Sequence, residues 1–175
     1  MAECIFCKIV AKEIPALVVY EDDKFMAILD INPLNPAHTL VLPKRHYRWV
    51  WEVEEFGEYW EVAGRVANAA IKAFGAETVN FLTMGFTVEH AHIHVIPRFK
   101  DDGHAEQPDI RNRKKIEEGE MMGIMAKLKQ AIADIPAKHR EEPKVEEQKE
   151  LKEETKEQER SKEDTFWMKR EINLG

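Results

Sequence analysis

Residues 89–98 read Glu-His-Ala-His-Ile-His-Val-Ile-Pro-Arg, and this stretch narrows the folds open to the chain more than any other. Three of the seven histidines, His90, His92 and His94, stand at strict period two. On a β-strand that period sends the three imidazoles to one face and Ala91, Ile93 and Val95 to the other. The spacing therefore predicts a strand over 90–97 with one apolar face for a core and one histidine face for chemistry. Imidazole has an unperturbed pKa of about 6.5, so it serves near neutral pH as nucleophile, base or metal ligand. An expression tag would be terminal and uninterrupted, whereas this row is internal and alternates with hydrophobic residues.

The elements around it follow from pattern. Residues 17–21 and 24–30 read as two short strands joined by a turn at Asp22-Asp23. Asn32-Pro33-Leu34-Asn35-Pro36 is loop, because two prolines in five residues forbid a regular element. Residues 38–43 make a third strand ended by Pro43. Between 54 and 74, Phe56, Tyr59, Trp60, Ala63, Val66, Ala67, Ala70, Ile71 and Phe74 recur at helical spacing, and Gly75 follows as a stop. Residues 79–84 give a fourth strand before the histidine strand. A second amphipathic helix over 116–135, carrying Met121, Met122, Ile124, Met125, Leu128 and Ile132, ends at Pro136. Five strands with a long helix between the third and fourth point to an antiparallel α+β domain.

At 175 residues the chain has the length of one ordinary domain with a real core. The net charge of −7 argues against gripping a nucleic acid duplex by its backbone. No apolar run is long enough for a membrane span and no signal-peptide pattern is present, so a soluble cytoplasmic protein is expected. The two cysteines, Cys4 and Cys7, have the spacing of a metal or redox pair rather than of a structural disulfide. Residues 1–136 read as the catalytic domain and 137–175 as a charged extension. From 141 to 175 there are twelve acidic and eight basic residues, a pattern compatible with a solvated helix and with disorder. The cluster Phe166-Trp167-Met168 inside that charge is expected to dock on its own domain or on a partner.

His-x-His-x-His followed by two apolar residues resembles the signature of the histidine-triad (HIT) superfamily of nucleotide hydrolases and transferases. Ile5-Phe6-Cys7-Lys8-Ile9-Val10, Ile28-Leu29-Asp30-Ile31-Asn32-Pro33 and the run from Pro36 to His46 extend the resemblance over the first two-thirds of the chain. It implies an open five-stranded antiparallel sheet with one long packed helix and a second C-terminal helix, in a homodimer where two sheets meet. It also implies attack of His92 on the α-phosphorus of a nucleotide, purine favoured, through a nucleotidyl-histidine intermediate. His94 matches the triad member behind the nucleophile, and His38 matches a fourth active-site histidine near the phosphates. Asp30 matches the carboxylate that holds the ribose hydroxyls, although an Asp at a strand end is also a common turn-former. Ile5, Phe6, Ile9, Ile28 and Ile31 match the lining of the base slot, though apolar residues equally suit a core. Asn80 and Thr87 match polar groups that touch ribose or phosphate.

Two further points come from the resemblance. Cys4 and Cys7, with His46 and His90, match a Cys2His2 structural zinc site of some members, whereas others lack it and would have two buried thiols. The family's usual Gly-Gln-Ser/Thr-Val before the triad is here Gly85-Phe86-Thr87-Val88, so the glutamine amide that contacts a bridging or leaving-group oxygen is missing. Losing one such donor costs about a hundredfold in rate where it stabilises developing charge. The implied reaction is hydrolysis of nucleoside 5′-monophosphate derivatives, either phosphoramidates or dinucleoside polyphosphates. The N-terminal match points to the Hint-like branch and Val95-Ile96-Pro97-Arg98 to the fragile-histidine-triad branch. A transferase or phosphorylase would use the same intermediate. A nucleotide-binding regulatory module with vestigial hydrolysis is the rival from a different class.

Overall fold

Five short segments rich in apolar residues and bounded by turns form one antiparallel sheet, of order β1-β2-β3-β5-β4. The computed structural model describes residues 4–136; the charged extension, with its Phe166-Trp167-Met168 cluster, lies outside the described residues. The strands are β1 (Val18–Glu21), β2 (Phe25–Leu29), β3 (Thr39–Pro43), β4 (Thr78–Thr83) and β5 (Ile93–Arg98). The helices are α1 (Ile5–Val10), α2 (Phe56–Phe74) and α3 (Glu118–Ala133), with a single 3₁₀ turn at Val50–Glu52. Asp22 closes the first hairpin, its Oδ1 accepting the Lys24 and Phe25 amides at 2.8 and 2.7 Å. β2 and β3 then pair from Phe25 opposite Pro43 to Leu29 opposite Thr39, and both are buried throughout.

Period two divides the sheet into two different faces. Phe25, Ala27, Leu29, Val41, Ile93 and Val95 join the apolar stripe of α2 and Leu128 and Ile132 of α3 in the main core. Tyr59 of α2 seats that core: its ring stacks on Phe25 at 5.4 Å and its hydroxyl donates to the Val41 carbonyl at 2.8 Å. α2 stops where the sequence predicts, at Gly75, whose φ of 72° is the left-handed cap that glycine adopts without strain. The opposite face carries Met26, Ile28, Leu40 and Leu42 against Phe6 and Ile9 of α1. His94 and Ile96 share this second face, opposite Leu82 and Asn80 of β4.

The structure corrects two expectations. The strand predicted over 90–97 starts only at Ile93. Ahead of it the Ala91 amide turns to the Tyr47 carbonyl at 2.7 Å, and the His92 ring bonds back to the His90 carbonyl at 2.7 Å. Those bonds take the backbone out of the ladder just where β4 ends at Thr83. The alternation of faces survives the loss of strand, since Ala91 joins the main core with Ile93 and Val95. The second correction is α1, a six-residue helix over the Cys-x-x-Cys segment that apolar spacing did not reveal. So short a helix is held by tertiary contacts rather than by propensity. The other elements keep their predicted places with ends shifted by one or two residues. Among the described residues, no helix is long and apolar enough to cross a membrane.

Candidate active site and metal centre

The second face of the sheet gathers three imidazoles, His38, His92 and His94, and the Asp30 carboxylate at the β3–β5 junction. His92 is 5 % exposed and lies edge-on to Phe6 of α1, ring centroids 5.3 Å apart. A backbone carbonyl can only accept, so the 2.7 Å contact to His90 O makes Nδ1 of His92 the protonated nitrogen. Nε2 is left with its lone pair. Burial holds the His92 pKa below the ordinary imidazole value, against the raising pull of that hydrogen bond and of Asp30. His92 is therefore neutral at pH 7, with one nitrogen anchored and the other basic.

A second chain of bonds defines the tautomers of His38 and His94. The Leu34 amide donates to His38 Nδ1 at 3.1 Å, so neutral His38 carries its proton on Nε2. That Nε2–H meets His94 Nδ1 at 3.0 Å, which must accept. The proton of His94 then sits on Nε2, a buried donor that has no partner among the described residues. Burial is the main force pushing both groups down to about 3, so neither is charged at neutral pH. His94 lines a cleft together with Asp30, Leu34, His38, Ile96, Ile110 and Arg113. An unpaired N–H on the wall of a cleft is a ready donor for an anionic oxygen.

Asp30 closes the other side. Its Oδ1 accepts the Asn32 amide at 2.8 Å, and its Oδ2 lies 3.6 Å from His38 Nδ1 and 3.9 Å from His94 Nδ1. With both imidazoles neutral these are polar contacts rather than ion pairs. Burial raises the Asp30 pKa. Asp30, His38 and His94 lie close enough to share a metal ion. The hydrogen bond between the two imidazoles already uses the nitrogens such an ion would need.

The remaining expected nucleotide contacts divide by exposure. Phe6, Ile9 and Ile28 are buried in the α1-side cluster, while Ile5 and Ile31 are 45 % and 80 % exposed. Asn80 lies on the cleft side of β4, with its Oδ1 accepting from Arg98 Nη1 at 2.8 Å. Thr87 is exposed in the connection between β4 and β5, and Phe86 beside it is 98 % exposed. Gly85 in that connection is obligatory for space, since a Cβ there would run into the Trp49 ring.

The two cysteines meet two histidines at the other end of the triad. Cys4 Sγ lies 3.4 Å and Cys7 Sγ 3.5 Å from His90 Nδ1, and Cys7 Sγ lies 3.3 Å from His46 Nδ1. His90 Nε2–H donates to the Pro43 carbonyl at 2.9 Å, which leaves Nδ1 bare and turned to both sulfurs. Tetrahedral zinc with ordinary bond lengths separates sulfur from nitrogen by about 3.6 Å. The four donors thus fit a closed Cys2His2 site, in which the Pro43 carbonyl holds the His90 ring in place. Burial first, then the neighbouring Cys4, pushes the Cys7 thiol up to about 11 when no cation is near.

Sequence patterns missed the apolar lining of the cleft and also a charged contributor to it. Arg113 lines it beside Asp30, His38 and His94, and donates through Nη1 to the Asn32 carbonyl at 2.9 Å. It comes from the long connection between β5 and α3, where an arginine among other charged residues carries no motif.

The HIT domain family model matches residues 11–101, which is half of the chain. The chain belongs to the HIT family. An uncharacterised HIT-like protein of Borreliella burgdorferi is 42 % identical over 113 residues, covering 59 % of this chain and 81 % of that protein. The Arabidopsis thaliana adenylylsulfatase HINT3 is 38 % identical over 107 residues, 57 % of this chain and 54 % of its own length. Among solved structures, a zinc-bound histidine triad family protein from Mycobacterium smegmatis superposes with a TM-score of 0.63 at 31 % identity, covering 75 % of this chain and 94 % of that one. The open five-stranded sheet is therefore the HIT fold. The matched HIT domain ends at residue 101, so the connection that carries Arg113, and α3 after it, lie beyond it.

Proposed function

We propose that this HIT protein hydrolyses nucleoside 5′-monophosphate derivatives through a covalent nucleotidyl-His92 intermediate. The observation that carries the reading is the tautomer of His92: Nδ1–H is tied to the His90 carbonyl, Nε2 keeps its lone pair, and the ring lies 5.0 Å from that of His94, which lines the cleft. In the first step Nε2 bonds to the α-phosphorus while the bond from phosphorus to the leaving group breaks. In the second step water forms a P–O bond, the P–N bond breaks, and the nucleoside monophosphate leaves. The unpaired Nε2–H of His94 is suited to a non-bridging oxygen, where negative charge grows. His38 keeps that proton on the correct nitrogen. Asp30 is the acceptor for the ribose diol, and exposed Ile5 and Ile31 with buried Phe6, Ile9 and Ile28 form the slot for a purine. Asn80 and Thr87 supply polar contacts at its edge.

HIT membership and the adenylylsulfatase relative support nucleotide hydrolysis as the class of reaction. A zinc on Cys4, Cys7, His46 and His90 would be structural: it would tie α1 to the residues just ahead of the nucleophile. The zinc-bound relative supports that choice of metal. A second reading, a nucleotide-binding module with vestigial hydrolysis, draws on Phe86, which stands where a donor is usual and is 98 % exposed. One experiment separates the two. Purified protein is given an adenosine phosphoramidate, adenylyl sulfate and a diadenosine polyphosphate, with rapid acid quench to look for label on the protein. The hydrolase reading expects turnover and a labelled histidine in the wild type, with both abolished in His92→Asn while nucleotide binding persists. Turnover of more than a few per cent in His92→Asn would exclude the covalent route. Binding without turnover in the wild type would favour the regulatory module.

A further inference from the structure

The connection between β5 and α3 does not wander over the surface. It is clamped to the loop that precedes His38, residue by residue. Arg113 Nη1 donates to Asn32 O, the Lys114 amide to Pro33 O at 2.7 Å, and His104 Nε2 to Leu34 O at 3.2 Å. Asn35 Nδ2 in turn donates to Asp102 at 2.8 Å. Asp102 is buried and paired with Arg98 at 2.7 Å, and Arg98 also holds the carbonyls of His104, Ala105 and Glu106. The segment is thus built to stand at a defined place on the rim of the catalytic cleft.

What it brings there is one guanidinium. Arg113 is exposed, and among the described residues it forms no ion pair with a carboxylate. One nitrogen is spent on the Asn32 carbonyl, which orients the plane and leaves the other donors open. The cleft it lines is also lined by His94, whose buried Nε2–H is unpaired among the described residues. Burial is the first cause of the shifts at Asp30, His38 and His94, raising the acid and lowering the two imidazoles, and the charge of Arg113 reaches all three and opposes their protonation. An anchored guanidinium and an orphaned N–H around one cleft form a binding pair for oxyanions.

We infer that Arg113 is a specificity-determining residue that receives the anionic group beyond the α-phosphate, so the cleft favours substrates whose leaving group is an oxyanion such as phosphate or sulfate over those that release a neutral amine. This deepens the proposed function and rests on its assignment of the cleft to the nucleotide.

The test is a pair of affinities read in the full chain. AMP and ADP differ by one phosphate at the position of the leaving group, and both can be titrated calorimetrically without turnover being required. The wild type is expected to bind ADP more tightly than AMP. Arg113→Gln should shrink that ADP-over-AMP preference by about tenfold to a hundredfold, the worth of a charged hydrogen bond or two. Arg113→Lys, which keeps charge but loses the fork, should fall between. A melting temperature within a few degrees of wild type would exclude a fold effect. An unchanged preference in Arg113→Gln, or equal loss for AMP and ADP, overturns the inference. Turnover is measured beside it with adenylyl sulfate and adenosine phosphoramidate, and kcat/KM for the sulfate should fall by the larger factor. If the wild type turns over neither compound, the hydrolase reading fails, while the affinity ratio still decides the role of Arg113. If neither AMP nor ADP binds, both fail together.

Discussion

His38 cannot take a second proton without confronting the Leu34 amide, because its Nδ1 is already the acceptor of that N–H. The same refusal passes through its Nε2 to His94. Both groups lie far below the value of about 6.5 they have in an unfolded chain. Above that pH they are neutral whether the chain is folded or not, and stability is unaffected. Between pH 6.5 and about 3 the unfolded chain takes up protons that the folded one refuses, so stability falls as pH falls through this window. Thermal midpoints from pH 7 to pH 4 should therefore drop more steeply for the wild type than for His38→Gln, which removes one of the two groups. Acid also protonates the Cys and His cluster, but equally in both proteins, so the difference in slope belongs to His38. Equal slopes would mean that the histidine chain is not neutral in the folded protein.

α1 shows what joins an element to chemistry. Six residues cannot hold a helix alone, and what retains this one is the burial of Phe6 and Ile9 and the approach of both sulfurs to His46 and His90. Loss of one thiolate should release helix and metal together. Cys7→Ser is expected to lose about one equivalent of zinc per chain by elemental analysis, and at least about 2 kcal/mol of stability, a midpoint lower by roughly 5 °C or more. A metal-free variant with the wild-type midpoint would show that α1 is held by Phe6 and Ile9 alone. This element also marks the limit of reading the sequence. α2 and its stop at Gly75 were legible because nine apolar residues repeat at helical spacing, the first four strands because short apolar runs lie between turn signals, and the fifth because its histidines alternate with apolar residues. The Cys and His cluster and the triad were legible through short motifs and family resemblance. α1 was not, being shorter than two helical turns. The early end of the β5 ladder depends on the His92 ring bonding to a backbone carbonyl, and Arg113 reaches the cleft by bonds to the carbonyls of 32–34, which carry no side-chain signature.

At the scale of the whole molecule, β4 presents an edge of the sheet with which no strand among the described residues pairs. β4 ends the strand order, and its sequence Thr-Val-Asn-Phe-Leu-Thr has none of the charges or prolines that keep an edge from pairing. The opposite edge differs, since Glu21 of β1 sits between Lys12 and Lys44. Beside β4 an aromatic patch continues onto α2: Phe81, 42 % exposed, packs edge-on against Trp60 at 5.6 Å, and Trp60 against Phe56 at 6.3 Å. A two-fold axis along this edge would pair β4 with β4 and close both patches at once, since an isologous interface uses each surface twice. The exposed parts of these aromatic rings, together with the strand, would form the apolar middle of an interface, whose stable size is roughly 800 Å² per partner. The homodimer we propose is assembled through β4. Phe81→Lys puts a charge in the middle of that edge while leaving the main core untouched, because Phe81 is not part of it. Sedimentation velocity at micromolar concentration should find a dimer for the wild type and a monomer for Phe81→Lys, with the far-ultraviolet circular dichroism of both the same. A wild type that sediments as a monomer, or a Phe81→Lys protein that stays dimeric, would remove β4 as the interface.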